Sequence, residues 1–375
     1  MEIVVSKAEL MKGVNAVSKA IPTRTTAPIL ECIKIDASTN EIHLTANDTQ
    51  LGIETIVDGT INERGIIAIP AKNFEPIVHK LPDGEVTITT NETYKTIIKC
   101  GKVKFDIEGQ SGEDFAPLPL VPKQSPITMS QFTLREVIRQ TIFSISDNEE
   151  RKMMTGEQFK IENNHLKVVS LDGHRISIRN VELKDQNRDE DIVVSGRTLN
   201  EVSKIIGGGT EDMVNIYITD VPRERKNEVT QHICFEFGKT RVVSSLLPGE
   251  YFSIDHMIPK EYQTKIKLNR KELLECVDRS LLLVKEGDKK PIIMNITDGN
   301  VEMMIKSVAG AMDENIDCEK DGVDIKIAFN PKFFIDALRA IDDEDVELYF
   351  VNSKSPCSIK DEKDSYLYMI LPVNF

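Results

Sequence analysis

The sequence lacks the features that are typical of disulfide-rich, zinc-binding and membrane proteins. Its 375 residues include only six cysteines, and no two of them form a C-x-x-C pair, so neither a disulfide framework nor a zinc site is indicated. No apolar run approaches the ~20 residues that a membrane-spanning helix needs, and the opening stretch MEIVVSKAELMKG has no apolar signal-peptide core. We therefore expect reduced thiols, no bound metal and a cytoplasmic location.

Positive charge is also scarce. The chain has 47 Lys and Arg residues against 61 Asp and Glu residues, a net charge of −14. A protein that coats nucleic acid indiscriminately needs cations to displace counterions, so this balance argues against one. It does not exclude a local basic surface, and the distribution of Lys and Arg therefore matters more than their number.

The sequence does contain one structural unit repeated three times. Three amphipathic segments place Leu10, Leu134 and Leu273 at equivalent positions, at intervals of 124 and 139 residues, and each segment begins at or near a Ser or Asn of the kind that caps helices. A second helical segment follows each of the first at a similar spacing. The six predicted helices cover residues 6–21, 70–84, 130–145, 195–209, 269–284 and 330–344.

Between these helices the hydrophobic pattern changes to the alternation expected of strands, as in IHLTAND (42–48), LKVVSLD (166–172) and VEMMIKS (301–307). Because helices do not alternate with single strands, the pattern predicts an α+β fold of three tandem similar domains, each with two helices on one face of antiparallel sheets. Two Pro-bearing stretches without periodicity, 112–126 and 247–262, mark the joints. The predicted domains are residues 1–120, 127–250 and 252–375.

Each predicted helix also carries two basic residues on the side opposite its apolar stripe. In the first helix Leu10, Val14 and Val17 form the stripe, and the lysines project from the other side. Charged outer faces are common, and acidic residues share them, but recurrence in all six helices of an acidic protein favours a weakly basic surface that contacts phosphates without reading bases. The pairs are Lys12 and Lys19, Lys72 and Lys80, Arg135 and Arg139, Arg197 and Lys204, Lys271 and Arg279, and Lys332 and Arg339.

The stretch VVSLDGHRISIR (168–179) could be catalytic, because Asp-Gly-His-Arg stands between two apolar runs. A hydrolase would pair Asp172 and His174 with a distant Ser or Cys. Against this, the chain has no G-x-S-x-G, H-E-x-x-H or G-x-x-x-x-G-K-[ST] motif, and Arg175 would oppose an imidazolium at His174. The alternative interpretation is a turn that presents charge to a partner.

Over its whole length the sequence resembles the β subunit of bacterial DNA polymerase III, the sliding clamp family. The resemblance rests on RTTAPIL (24–30), IPAKNFEPIVHKLP (69–82), LDGHRIS (171–177), AFNPKFFIDAL (328–338) and YMILPVNF (368–375), which occur in the family's order. It implies a homodimeric ring, three like-folded domains per chain, that encircles duplex DNA without sequence specificity. Such a ring would be a processivity factor with no catalytic site and no cofactor, and would tether the replicative polymerase, the clamp loader and other clamp-binding proteins.

The resemblance also implies roles for residues outside the helix faces. Arg24, in the loop after the first helix, would contact DNA. The ring joints would pair Phe105 and Ile107 of one chain with Leu282 and Leu283 of the other, a head-to-tail contact that closes after a half-turn.

A peptide-docking groove beside the D-G-H-R turn is a further implication of the resemblance. Its lining would be mostly apolar and rich in Met, which suits a pocket that serves several peptides. Leu171, Phe252 and His256 depart from the residues most familiar in the family, which alters the size of the pocket, leaves its peptide preference open and is compatible with a second clamp paralogue. The implied lining is Met154, Leu171, Gly173, His174, Arg175, Ile176, Phe252, His256, Met257, Met369, Leu371, Pro372 and Val373.

Two other classes of function compete with the clamp. An enzyme is disfavoured by the missing motifs. A DNA-free peptide-binding scaffold would keep the groove and lose the ring or its basic lining, and the basic pairs on all six helices disfavour it. A clamp should stay on closed circular DNA and slide off once the circle is cut, whereas a scaffold would bind peptide without being retained.

Overall fold

The computed structural model of the chain describes residues 1–219, 229–284 and 290–375. These residues contain six α-helices and 27 strands, and the sheets are antiparallel, which confirms the predicted α+β class. None of the described helices is both long and apolar enough to cross a membrane. The helices are α1 Lys7–Val17, α2 Ala71–Lys80, α3 Gln131–Thr141, α4 Gly196–Ile205, α5 Arg270–Ser280 and α6 Pro331–Ala340.

The chain divides into two compact units, and the first consists of residues 1–134 and 200–248. Its strands are β1 Glu2–Ser6, β2 Cys32–Asp36, β3 Ile42–Asn47, β4 Leu51–Val57, β5 Gly59–Glu63, β6 Ile66–Pro70, β7 Glu85–Thr90, β8 Lys95–Cys100, β9 Val103–Glu108, β10 Gln110–Ser111, β11 Ile127–Ser130, β16 Met213–Ile218, β17 His232–Phe237 and β18 Thr240–Ser245. They form a five-stranded sheet in the order β5-β1-β7-β8-β9 and a nine-stranded sheet in the order β10-β6-β2-β3-β4-β18-β17-β16-β11.

The second unit consists of residues 135–199 and 249–375. Its strands are β12 Gly156–Glu162, β13 His165–Leu171, β14 Arg175–Glu182, β15 Glu190–Ser195, β19 Thr264–Asn269, β20 Ile292–Thr297, β21 Asn300–Ser307, β22 Gly310–Asp317, β23 Glu319–Gly322, β24 Ile325–Phe329, β25 Asp345–Phe350, β26 Cys357–Lys360 and β27 Tyr366–Ile370. They form a nine-stranded sheet in the order β15-β12-β13-β14-β27-β26-β25-β19-β23 and a four-stranded sheet in the order β22-β21-β20-β24.

Each nine-stranded sheet is shared by two sequence repeats. In the first unit β4 pairs with β18, with Glu54 opposite Arg241 and their charged groups 3.2 Å apart. In the second unit β14 pairs with β27, with Arg175 opposite Ile370. The middle repeat thus supplies strands to two sheets, which is why the two compact units do not follow the three repeats. The boundaries 1–120, 127–250 and 252–375 stay a prediction.

The threefold repetition is visible in how the first helix of each repeat begins and ends. Helices α1, α3 and α5 each continue into a 3-10 turn, Ser18–Ala20, Ile142–Ser144 and Leu281–Leu283, so the α-helical parts are shorter than predicted because the last turn tightens. Ser6 and Asn269 cap α1 and α5, each accepting hydrogen bonds from backbone N–H groups two or three residues later.

The predicted apolar stripes lie in the core. In α1, Leu10, Val14 and Val17 are fully buried. In the third repeat Leu273 of α5 and Leu338 of α6 belong to one cluster that also takes in the inner faces of both sheets of the second unit. Full burial of each such side chain stabilises the fold by about 1.5–3 kcal/mol, so these stripes fix which side of each helix faces outward.

The predicted joints, 112–126 and 247–262, contain no helix or strand. The first is nevertheless anchored, because Leu118 is buried in a small cluster with Tyr217 and Val243 of the shared sheet. Its side chain occupies the space above Gly52, where even a methyl group would collide with it. The joint is therefore part of the packed structure.

Candidate nucleic-acid and peptide-binding sites

The predicted basic residues lie on the outer sides of the helices and in the loop after α1. All thirteen are exposed except Arg139, which is half-buried. The first repeat contributes Lys12, Lys19, Arg24, Lys72 and Lys80, the middle repeat Arg135, Arg139, Arg197 and Lys204, and the third repeat Lys271, Arg279, Lys332 and Arg339.

The repeats differ in how far nearby carboxylates neutralise these cations. Within the described residues, none of the five basic side chains of the first repeat forms an ion pair. In the middle repeat Arg139 binds Glu136 at 2.6 Å, and Lys204 binds Glu201 at 2.8 Å. The first repeat therefore presents its positive charge directly to solvent.

In the third repeat most of the predicted cations already have acidic partners. Arg279 pairs with Glu314 of β22 and lies 3.9 Å from Glu275, and Arg339 lies 3.3 Å from Asp278. Lys271 is 3.8 Å from the same Glu275. Only Lys332 of this set has no carboxylate partner among the described residues. The helices of this repeat consequently offer little net positive charge.

A groove of about 1140 Å³ opens beside α1 in the first unit. Lys12 and Lys19 stand on its wall, with Lys204 and Lys239 from the middle repeat. Four acidic residues line it as well, Glu9, Asp58, Glu75 and Asp212, so its formal charges balance. The groove is thus a concave surface with mixed charge and no net positive charge. It does not by itself indicate a phosphate-binding site.

The D-G-H-R stretch is a hairpin turn that joins β13 to β14. The Asp172 carboxylate accepts hydrogen bonds from the backbone N–H groups of His174 (2.8 Å) and Arg175 (3.1 Å), and Gly173 has a φ of +91°, which favours glycine. The second carboxylate oxygen of Asp172 pairs with Nε of Arg175 at 3.0 Å. Asp172 is fully used in holding the turn, so it does not orient His174 as a base. This geometry supports the turn interpretation of the sequence.

Arg175 is held at the base of this turn. Its side chain is only 12% exposed, and Nη1 lies 2.6 Å from the Asp336 carboxylate of α6. The guanidinium carbon is 4.6 Å from the ring centroid of Phe333 and 5.5 Å from that of Phe143. The ring of His174, by contrast, is exposed and stacks on Phe333 with 6.2 Å between centroids. His174 therefore faces solvent, while Arg175 ties the turn to α6.

Beside the turn, the structure brings several predicted groove residues together. Leu171 belongs to a buried cluster with Val169, Ile178 and Ile254, against which Met154 and Ile176 pack. Met369 is buried opposite Ile176 in the β14–β27 register. The side chains of Phe252, Met257, Leu371 and Val373 are each about 40% exposed, and His256 and Pro372 accompany them. The buried cluster is thus formed by the first of these residues, and the exposed ones supply apolar side chains that face solvent.

Sequence reasoning missed several residues at this surface. Ile254 and Tyr251 are part of the cluster, and Tyr251 donates a hydrogen bond to the Gly156 carbonyl at 3.3 Å while its ring meets that of Phe252 edge-on at 5.8 Å. They stand in the aperiodic joint 247–262, where no pattern distinguishes inward from outward side chains. Phe333 and Asp336 lie within the predicted helix 330–344, and nothing in the sequence pattern assigned them to this surface.

The residues predicted at the ring joint lie along two sheet edges. Phe105 and Ile107 are half-buried on β9, the outermost strand of the five-stranded sheet. Leu282 is 83% exposed in the 3-10 turn after α5, which packs against β22, the outermost strand of the four-stranded sheet. An edge strand offers unpaired N–H and C=O groups, so both edges can accept a further strand.

No cluster of His, Cys, Asp and Glu side chains suited to a metal ion occurs within residues 1–219, 229–284 and 290–375. Five of the six cysteines are buried, and burial raises the pKa of Cys234 and of Cys276 to about 12. Because the thiolate is the reactive form, these thiols are unreactive at neutral pH.

Three family models match the chain in sequence. They describe the N-terminal, central and C-terminal domains of the DNA polymerase III β subunit and match residues 1–119, 128–252 and 255–374. The β sliding clamps of Staphylococcus epidermidis and Staphylococcus aureus are each 32% identical, with 100% of this chain and 99% of the relative covered.

Solved structures agree with these matches. The DNA polymerase sliding clamp of Bacillus subtilis is 31% identical, with a TM-score of 0.94 over 100% of this chain and 99% of that one. A protein of Eubacterium rectale is 60% identical, with a TM-score of 0.94 and 100% of both chains covered. With three domain models in order and relatives matched over their full length, this chain belongs to the bacterial DNA polymerase III β subunit family, the sliding clamps.

Proposed function

We propose that two copies of this chain close into a ring that encircles duplex DNA and tethers the replicative polymerase, the clamp loader and other clamp-binding proteins. The proposal is carried by one combination: a chain of the sliding clamp family whose helices expose basic residues, and whose second unit carries an apolar cluster beside the D-G-H-R turn. The ring is a processivity factor without a catalytic site of its own. Family membership also supports a cytoplasmic location and the three domains 1–120, 127–250 and 252–375.

Topology explains how such a ring acts. A partner held on the ring stays near the template at a high effective concentration without tight DNA contacts of its own. Lys and Arg side chains on helix faces contact phosphates and read no base edges, so the ring moves along any sequence. Loose contact is an advantage here, because no specific hydrogen bond must break at each step.

The free sheet edges support the homodimer. Strand β9 of one chain, with Phe105 and Ile107, would meet the β22 edge of the other, beside Leu282 and Leu283. Such a contact joins unlike surfaces, so two of them related by a twofold axis close a ring in which the β9 and β22 edges are both covered. Burying the exposed Leu282 would add to the stability of the joint.

Within the ring, the first repeat is expected to make most of the phosphate contacts. Residues 7–20 hold three lysines and one acidic residue, and residues 71–80 hold two lysines and one acidic residue. Residues 270–283 hold three basic and three acidic residues. Residues 331–345 hold two basic and five acidic residues, against two basic and three acidic residues in the matching window 71–85. A carboxylate beside a cation lowers the positive electrostatic potential at the position of a DNA phosphate. The third repeat therefore attracts DNA less strongly than the first.

The test of the DNA interface compares two triple variants that remove equal charge. One combines Lys12→Ala, Lys19→Ala and Lys72→Ala, and the other combines Lys271→Ala, Arg279→Ala and Arg339→Ala. Each lost phosphate contact should flatten the dependence of log K on log salt by roughly 0.9. We expect a flattening of about 2–3 for the first triple and under about 1 for the second, measured by anisotropy of a labelled duplex.

The test of the ring is retention on DNA. Wild-type protein, loaded onto closed circular DNA, should stay bound and should be released when the circle is cut. The first triple variant should load poorly and keep its affinity for peptide. A chain truncated before Leu371 should show the reverse. The proposed function would be refuted if wild-type protein were not retained on closed circular DNA. It would also be refuted if each variant lost both DNA loading and peptide binding.

A further inference from the structure

The D-G-H-R turn is fastened to helix α6 by a partly buried ion pair. Arg175 lies between two carboxylates, 3.0 Å from Asp172 in its own turn and 2.6 Å from Asp336 on α6, which is 161 residues away in the chain. Phe333 of α6 lies beneath the guanidinium and also beneath the ring of His174. Two consecutive residues of the turn thus rest on one turn of α6.

The last residues of the chain depend on the same support. The backbone N–H of Leu371 donates to the carbonyl of His174 at 2.9 Å, and the N–H of Val373 donates to the carbonyl of Ala328 at 2.8 Å. Ala328 is in β24, two residues before the Asn330 cap of α6. Leu371 and Val373, two exposed apolar side chains of the groove, are therefore positioned by the D-G-H-R turn on one side and by the approach to α6 on the other.

The position of the Arg175 guanidinium depends on both of its carboxylate partners. A guanidinium that is 12% exposed needs its charge balanced, and Asp172 alone supplies one carboxylate whose oxygens also hold two backbone N–H groups. Asp336 supplies the second carboxylate at a charge-assisted distance. Without it the guanidinium would be drawn toward solvent or wholly onto Asp172, and either movement displaces the backbone of residues 172–175.

From this geometry we propose that Asp336, with Phe333, is a positioning residue for peptide recognition. Asp336 contacts no peptide; it fixes Arg175, and through Arg175 the carbonyl of His174 and the tail that carries Leu371. The proposal rests on the proposed clamp function. It also explains why an acidic residue stands on the outer side of α6 between Lys332 and Arg339, where it weakens the attraction for phosphates.

The experiment uses Asp336→Asn, which keeps the shape and removes the charge, in the full chain. Its control is Glu272→Gln on α5, which removes one negative charge from an exposed side chain that has no ion-pair partner among the described residues. The probe is a fluorescently labelled short peptide with Leu and Phe as its apolar anchors. We expect the Kd of the peptide to rise by about tenfold for Asp336→Asn, the loss typical of a hydrogen bond to a charged group, and to stay unchanged for Glu272→Gln.

Two further measurements separate positioning from general damage. Affinity for a labelled duplex should be unchanged or slightly higher in Asp336→Asn, because the variant removes a negative charge from α6. Asp336→Glu, which can still reach a guanidinium, should recover part of the peptide affinity. Equal peptide affinity in Asp336→Asn and wild type, or a parallel loss of duplex binding, would overturn the proposal. A wild type that binds neither peptide nor duplex would instead overturn the clamp function.

Discussion

Glu157 offers a measurable test of the interior of the second unit. It lies on β12, is fully buried, and neither of its carboxylate oxygens has a hydrogen-bond partner in the described structure. Burial raises the pKa of Glu157 from its ordinary 4.5 to about 8. Thr141 opposes the rise only weakly, because its hydroxyl donates to the carbonyl of Val137 at 2.7 Å. A neutral carboxyl group therefore occupies the site at physiological pH.

The sign of the pH dependence follows from this difference. Below pH about 4.5 Glu157 is protonated in both the folded and the unfolded chain, so it imposes no penalty. As the pH rises from there to about 8, folding must take up a proton, and the free energy of unfolding falls by about 1.4 kcal/mol per pH unit. Over the interval from 4.5 to pH 7 the loss reaches about 3 kcal/mol, and above pH about 8 it stays constant.

We therefore predict that Glu157→Gln stabilises the protein by about 3 kcal/mol at pH 7 and by close to nothing below pH 4.5. The amide has nearly the same shape as the carboxyl group and leaves as many polar atoms without partners. The difference in stability between the variant and the wild type therefore reports only the ionisation of Glu157. Urea unfolding at both pH values measures it. Glu162→Gln, at the exposed end of the same strand, is the matched control and should give no gain at neutral pH, because Lys160 lowers the pKa of Glu162. If the change in free energy of unfolding caused by Glu157→Gln were the same at both pH values, or if the variant were less stable at pH 7, the raised pKa of Glu157 would be refuted.

Three more predictions concern a histidine–carboxylate pair of the first unit, the first joint and the ring joint. The pKa of His43 is raised chiefly by the Glu54 carboxylate, 3.8 Å from its Nδ1, so the stabilisation from this pair should be present below pH about 6.5 and disappear as the pH rises through the raised value. His43→Gln should therefore lower the urea midpoint at pH 6 and leave it unchanged at pH 9. Leu118→Ala should destabilise the first unit by about 2–5 kcal/mol through the cavity left above Gly52, and an unchanged thermal midpoint would contradict the packing described. Leu282→Asp should shift the molecular mass in solution toward the monomer, and an unaltered mass would exclude this surface from the ring joint.

The helices and their outward faces could be predicted because they depend on local patterns. The spacing of Leu10, Val14 and Val17 determines which side of α1 is buried, and the same spacing recurs in every repeat. Caps such as Ser6 and Asn269 act within three residues of themselves. The ends of the helices were predicted less accurately. The chain after α1, α3 and α5 tightens into a 3-10 turn, which hydrophobic periodicity does not distinguish from α-helix.

The charges on those faces could not be assessed in the same way. The sequence places two cations on each helix, but only the packed structure shows that Arg279 is opposite Glu314 of β22 and that Arg339 is beside Asp278 of α5. These partners come from other elements, so no spacing along one helix reveals them. The contrast between the first and third repeats is therefore partly tertiary, and only the acidic residues within the helices, such as Glu275, are visible in the sequence.

The peptide groove was predicted from the resemblance to the family and stays a prediction, whereas the contacts that hold its turn in place are visible only in the structure. The D-G-H-R turn follows from chemistry within four residues, since Asp172 caps the turn and Gly173 adopts a positive φ. That Arg175 points into the protein instead of toward a peptide depends on Asp336 and Phe333, which α6 brings close from far along the chain.

The sequence by itself determined the repeated α+β units, the inner and outer side of each helix and the clamp family, because each depends on short-range periodicity or on motifs that survive in order. Tertiary structure alone decided which strands join across repeats, such as β4 with β18 and β14 with β27, and which charges are neutralised. The physical reason is that hydrogen bonds and ion pairs between distant segments depend on distances in space, which the order of residues does not specify.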